Sequence, residues 1–263
     1  MSEIFIQKDG FASEHFGVGI GKLPPASLSL DLAVVREALL KAQNLGIEVV
    51  TTRLIPSQIK EIDLVDALRG QVFDTLITST LYPTKKPEIV FSPIEGISIE
   101  SHDKVIAEED IAAIRRMGGT AFNLTHFYTD SRLSKDGWRS FYGAWSVNDA
   151  TNRAKQTVLA RDEKSGEVVG FTTILAYDNE PTPYGVKTLG MVDLVAVAEN
   201  SRGRGIATRL VADSRKWLAG NTDIATVGTE SVNFSAFAVY QKCGFIPRDI
   251  AYSYHIWLDE ALR

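Results

Sequence analysis

Three stretches hold residues whose types and spacing could do chemistry. The first, "SRGRGIATRL" (Ser201 to Leu210), sets Gly203 and Gly205 among arginines where an apolar run passes into a helical pattern. N–H groups at a helix start are unpaired and carry the positive end of the helix dipole, and glycines let an anion come close. With Arg202 and Arg204 nearby, a diphosphate is the natural guest. The other reading is a surface turn whose glycines relieve strain. Nucleotide loops do not fit. No Gly-Lys-Ser/Thr follows, as a P-loop needs, and Thr208 stands where a dinucleotide fingerprint has its third glycine.

The second stretch, "GMVDLVAV", embeds a carboxylate, Asp193, in an apolar strand pattern. Period-two alternation would place Asp193 on one face with Val195 and Val197. It reads either as a base or as an Asp at the wet end of the strand. The third, "NFSAFAVYQKCGF", offers Asn233 as a helix cap and Tyr240 as a phenol. A lone Tyr at such a place is ordinarily a core aromatic. Glu230, His15 and His126 are further titratable groups, each more commonly solvated or structural. Cys243 reads as a packing residue.

The elements that must position these groups alternate between strand and helix. "SLDLAVVREALLKAQNLG" has helical spacing and stops at Gly46; "IEVVTTRL" follows as a strand, "SQIKEIDLVDALRG" as a helix and "VFDTLITSTLY" as a strand. Pro83, Pro87 and Pro93 punctuate the next stretch, which places a domain boundary there: 1–95, then 96–263. The second part has the strand "GISIESHD", helices "AEEDIAAIRRMGG" and "SKDGWRSFYGAWSVNDATNRA" (cap Ser134), and a hairpin turning at Lys164–Gly166. An insertion with Pro181 and Pro183 leads into "TLGMVDLVAVAEN". A helix, the strand "IATVGTE", another helix and the terminal strands "FIPRDIAYSYHIWL" close the chain. The order strand, helix, small-residue stop, strand occurs in both halves.

A net charge of −5 over 263 residues argues against a nucleic-acid binder relying on bulk positive charge. One cysteine allows no internal disulfide and no cysteine cluster for zinc. The start lacks the features of a signal peptide and no apolar run is long enough to span a membrane, so a cytoplasmic protein is expected, with no membrane partner.

"LVAVAENSRGRGIATRLV" resembles the coenzyme-binding core of the GNAT superfamily of N-acetyltransferases. Its signature is Gln/Arg-x-x-Gly-x-Gly/Ala, here Arg202, Gly205 and Ala207. The later family motif Asn-x-x-Ala-x-x-x-Tyr-x-x-x-Gly-Phe is met by Asn233, Ala236, Tyr240, Gly244 and Phe245. The resemblance covers about residues 100–263. It implies an α/β (α+β) fold with a mixed, mostly antiparallel sheet flanked by helices, after a smaller N-terminal α/β domain resembling a partial GNAT fold. It implies acetyl-CoA as co-substrate and no metal. The turn Arg202, Gly203, Arg204, Gly205, Ile206, Ala207 and Thr208 would hold the pyrophosphate. The strand Val195, Ala196 and Val197 would lie along the thioester, with the N–H groups of Val195 and Val197 meeting its oxygen. Asn233 and Ala236 would border the pantetheine arm. Tyr240 would be the general acid, its phenol matching a thiolate in basicity. Asp193 would be the base, with Glu230 a second candidate and a water relay the third route.

The resemblance implies a primary amine as acceptor. "SEHFGVGIGKL", "HFYTDSRLSKDGWRSFYGAW" and "VGTESVNFSAFAVYQKCGF" resemble the dTDP-fucosamine acetyltransferase group, which implies a nucleotide-linked 4-amino-4,6-dideoxy sugar. Arg132 or Arg139 would then serve a second diphosphate. Phe127 and Tyr128 are pocket candidates, whereas Trp138, Phe141, Tyr142 and Trp145 read as the apolar stripe of a helix. The competing readings are an acetyltransferase for a protein N-terminus, a lysine or a small amine, and a non-catalytic acyl-CoA-binding module. A homodimer is among the assemblies open to it.

Overall fold

A computed structural model describes residues 4–29, 31–85, 89–105, 107–178 and 184–263. Pro87 and the expected insertion residues Pro181 and Pro183 lie outside the described residues. The chain groups into two compact units that do not follow the linear division at 95: one comprises 1–76, 123–141 and 249–263, the other 77–122 and 142–248.

In the first unit, β1 (Gln7–Lys8), α1 (Gly10–Phe16), β2 (Ile20–Lys22), α2 (Leu32–Asn44), β3 (Val49–Leu54) and α3 (Ile59–Ala67) follow one another. Strand β4 (Gln71–Leu81) begins here; α5 (His126–Thr129), the start of α6 (Lys135–Asn148), the end of β10 (Ile246–Trp257) and α9 (Leu258–Ala261) complete the unit. Strand β2 runs parallel to β3, and β10 pairs antiparallel with β3, Tyr254 opposite Thr52. The terminal stretch is thus one long strand rather than several. The core packs Leu39, Val50, Leu54, Val65, Leu68 and Ile256. Helix α2 forms where its pattern predicts: Asp31 accepts the Ala33 N–H at 2.8 Å, and Gly46 takes the left-handed φ of 77° that a chain reversal asks of a residue without Cβ.

The second unit holds β5 (Ile97–His102), α4 (Glu108–Ala121), the rest of α6, β6 (Gln156–Asp162), β7 (Val168–Asp178), β8 (Thr188–Val197), α7 (Ile206–Asn221), β9 (Ile224–Glu230) and α8 (Phe234–Lys242). Its strands run β9-β8-β7-β6-β5, antiparallel except for the parallel pair β8–β9. Helices cover both faces. Ile206 and Leu210 of α7 and Tyr240 of α8 pack on one face with Val158, Ile174 and Val192. Ala113, Ile114 and Met117 of α4 pack on the other with Leu159, Phe171 and Leu194. Each fully buried Leu, Ile or Phe contributes roughly 1.5–3 kcal/mol relative to exposure. This is the mixed, mostly antiparallel sheet flanked by helices that the sequence predicts. After α6 the chain makes a π-helical turn, Asp149–Arg153. Among the described residues no helix is long and apolar enough to cross a membrane.

Candidate functional site

The glycine turn lies between β8 and α7. Gly203 and Gly205 have φ of 78° and 84°, a region costly for any residue with a Cβ, and Gly205 stands at the helix cap. A Cβ built on either would meet nothing within 4 Å, so the turn faces open space. The first bond closing the helix is Arg209 N–H to Gly205 O at 3.1 Å, which leaves the N–H groups of residues 203–208 without a partner among the described residues. Six successive donors from Gly203 to Thr208 beside open space fit a pyrophosphate. The arginines are engaged elsewhere: Arg202 Nε donates to Val197 O at 3.2 Å, Arg204 to Glu95 O at 3.1 Å, and Arg209 to Phe91 O and Asp213. Backbone rather than side chains supplies the donors.

Strand β8 pairs with β9 only from Leu189 to Val192, opposite Ile224 to Val227; beyond that the strands have no further paired residues. Leu194 N–H donates to Thr173 Oγ1 and Ala198 N–H to Val169 O, both toward β7. Backbone N–H groups alternate along a strand, so those of Val195 and Val197 point to the side that β9 has left. Their side chains pack on the face that carries α7.

Asp193 departs from its expected face. In the β7–β8 register Thr173 is opposite Leu194 and Ile174 opposite Val192, so Asp193 is the extra residue of a β-bulge. The bulge shifts the parity of the strand: Val192, Val195 and Val197 pack on the α7 face, Leu194 and Ala196 on the α4 face. Asp193 is therefore not aligned with Val195 and Val197. It turns instead toward Asp149, at the start of the π-helical turn. The Asp149 side chain has no exposed surface, that of Asp193 is 14% exposed, and Arg153 contacts both, bonded to Asp149 and 3.7 Å from Asp193. Thr173 Oγ1 donates to Asp149 at 3.3 Å. Burial first, then the hydrogen bond and charge of Asp193, push the Asp149 carboxyl up to about 8. Asp193 Oδ2 is buried without a hydrogen-bond partner among the described residues.

On α8, Asn233 Oδ1 accepts the Ala236 N–H at 3.2 Å and caps the helix, and Ala236 lies against the core. Tyr240 is buried at 6% exposure, and its hydroxyl has no hydrogen-bond partner among the described residues. Burial, then the charges of Glu230 and Cys243, raise its pKa well above that of an ordinary phenol, which keeps the proton on the ring. Cys243 is fully buried, donates weakly to Thr208 O, and is pushed up to about 11 by burial, so it stays a thiol in the core. Glu230 is the last residue of β9.

His15, His126 and His255 belong to networks of the first unit. Asp130 Oδ2 accepts from Trp257 Nε1 at 3.0 Å and bonds His255 Nδ1 at 2.7 Å; His255 Nε2 meets His126 Nδ1 at 2.7 Å. Burial, then the charges of His255, Arg53 and Lys22, lower the His126 pKa well below its usual value. His15 bonds Ser140, and Arg132 is held by Asp259 and Glu260 over the Trp257 ring. Arg139 pairs with Asp136. Arg132 is thus committed to its own carboxylates rather than left for a second diphosphate. Trp138, Phe141 and Tyr142 are buried residues of the α6 stripe, and Phe127 of the short α5 is buried as well.

Asp149 and Arg153 escape a reading of the sequence, although one signal was present. An Asp near the C-terminal end of a helical pattern opposes the helix dipole, and such local conflicts mark places where something other than stability is served.

The family model "Acetyltransferase (GNAT) family" matches residues 123–245. The spore coat polysaccharide biosynthesis protein SpsD of Bacillus subtilis (strain 168) is 28% identical over 149 residues, 56% of this chain and 48% of that protein. The chain thus matches about half the length of this relative. Two solved structures share the fold: a tandem GNAT protein from the clavulanic acid biosynthesis pathway (12% identity, TM-score 0.61, 86% of this chain and 69% of that one), and a GCN5-related N-acetyltransferase from Sphaerobacter thermophilus (14%, 0.62, 96% and 75%). The match to the acetyltransferase (GNAT) family spans residues 123–245, a little under half of the chain.

Proposed function

We propose that the protein is an acetyl-CoA-dependent N-acetyltransferase that acts on the primary amine of a nucleotide-linked amino-dideoxy sugar. The observation that carries the acetyl-transfer reading is the parting of β8 from β9 beside a turn of unpaired N–H groups. The sugar rests on the relationship to SpsD, a polysaccharide biosynthesis protein.

Acetyl-CoA supplies an acetyl group activated as a thioester. The N–H groups of residues 203–208 bind its pyrophosphate. The N–H groups of Val195 and Val197 meet the negative charge that builds on the thioester oxygen. Asp193 takes a proton from the acceptor ammonium, so that a neutral amine attacks; the carbon–sulfur bond breaks and Tyr240 donates its proton to the departing thiolate. A phenol held protonated by burial suits that duty.

Thiol release is measured against a panel of amines that includes dTDP-linked 4-amino-4,6-dideoxy sugars. Release that depends on the sugar is expected, and its absence across the panel overturns the sugar assignment. Tyr240→Phe lowers kcat by about 100-fold while acetyl-CoA affinity changes little; unchanged turnover removes Tyr240 from its role.

A further inference from the structure

Two carboxyls, Asp149 and Asp193, share one guanidinium, Arg153, where Asp149 has no exposed surface at all. With both ionised the cluster carries a net negative charge in a site with little water, and one proton brings it to neutrality. The groups facing the pair are Arg153 from the π-helical turn and Thr173 and Tyr177 from β7; Arg153 is the cation among them. The proton belongs on Asp149, the carboxyl shut off from solvent, because Asp193 keeps 14% of its side chain exposed. Two departures from regular structure bring the pair together, the bulge that turns Asp193 off its strand face and the π-helical turn that starts at Asp149.

We propose that Asp149 is a positioning residue for the transfer reaction: its carboxyl holds a proton toward Asp193, fixing that carboxylate in place to receive the proton of the acceptor ammonium. This rests on the assignment of Asp193 as base. In the step, the ammonium N–H bond breaks and an Asp193 O–H bond forms. Asp149 keeps its own proton, Arg153 remains a cation, and Asp193 later loses the transferred proton to water along its exposed edge. Ionising Asp149 removes the proton it holds toward Asp193, and with it the contact that positions that carboxylate.

Infrared spectroscopy of the whole protein tests the proton directly. The carbonyl stretch of a buried carboxylic acid is expected at pH 7, disappearing as pH rises through about 8. Asp149→Asn removes it, and Asp193→Asn shifts its disappearance to lower pH. Turnover is followed with the amine identified from the panel. Asp149→Leu, which cannot donate, lowers kcat by about tenfold or more with little change in the KM of acetyl-CoA. Asp149→Asn, which still donates, recovers most of that loss and abolishes the alkaline decline of kcat expected of the unsubstituted protein as Asp149 ionises. Absence of the infrared band at pH 7 overturns the proposal even if Asp193→Asn stops turnover. A band that behaves as expected, in a protein whose turnover survives Asp193→Asn, overturns the base assignment instead.

Discussion

Asp130 in the first unit and Asp149 in the second are equally hidden, at 1% and 0% exposure, and their protons are held oppositely. Burial alone raises both. Around Asp130 the hydrogen bonds of His255, the Arg132 N–H and Trp257 outweigh it, and the pKa falls below the ordinary carboxylate value. Beside Asp149 stands another carboxyl, Asp193, whose hydrogen bond and charge add to burial. Donors that converge on a carboxylate make it a permanent anion and a structural post; a rival acceptor makes it an acid that still holds its proton at neutral pH. Burial is therefore a poor guide to which of two acids does chemistry, and the identity of the neighbours decides.

The contrast can be broken most severely at Asp130. Asp130→Ala orphans the buried His255 and Trp257 donors and is expected to cost about 3–5 kcal/mol in urea unfolding followed by tryptophan fluorescence. A loss below 1 kcal/mol would mean that this carboxylate is no post. A pH series sharpens the comparison next. The native protein holds Asp149 protonated from the ordinary carboxylate range up to about 8, so this group lowers stability as pH rises through that window and no further above it. Asp130 acts with the opposite sign: its contribution is complete above the ordinary range and is lost as pH falls through its lowered value. Urea midpoints for Asp149→Asn are expected to lose the decline between about pH 4 and 8 while keeping the acid limb. Thr173→Val is the mildest change. Its hydroxyl donates to Asp149 and accepts from Leu194 N–H. Its loss costs about 1 kcal/mol and moves the disappearance of the Asp149 carbonyl band to higher pH, since that donor favours the anion.

Much of the framework was readable beforehand, for local reasons. Helices α2, α4, α7 and α8 carry their periodicity and stops within one short stretch, and the turn at Gly203 and Gly205 writes its need for positive φ into its residue types. The candidate donors Val195 and Val197 come from the resemblance of "LVAVAENSRGRGIATRLV" to the coenzyme-binding core of the GNAT superfamily. What alternation cannot show is its own interruption. Nothing in "MVDLVAV" announces the bulge, so Asp193 was assigned to the wrong face. Its partner Asp149 lies on another element, across a π-helical turn that the helical pattern of "SVNDATNR" conceals. Grouping of the first unit also depends on long-range contacts: residues 123–141 and 249–263 join a region that begins at the N-terminus. A linear boundary between proline-rich segments has no means of expressing that.

The bulge makes β8 a strand with two phases. On its N-terminal side Val192 faces α7; past Asp193 the same face is taken by Val195 and Val197. Without Asp193, Val192 and Leu194 would follow one another in plain alternation on the α7 and α4 faces, and Val195, Ala196 and Val197 would keep the faces they have. The bulge is thus an insertion that the packing of the strand does not require. What it adds is a carboxyl beside Asp149, set into a sheet whose two faces are already complete.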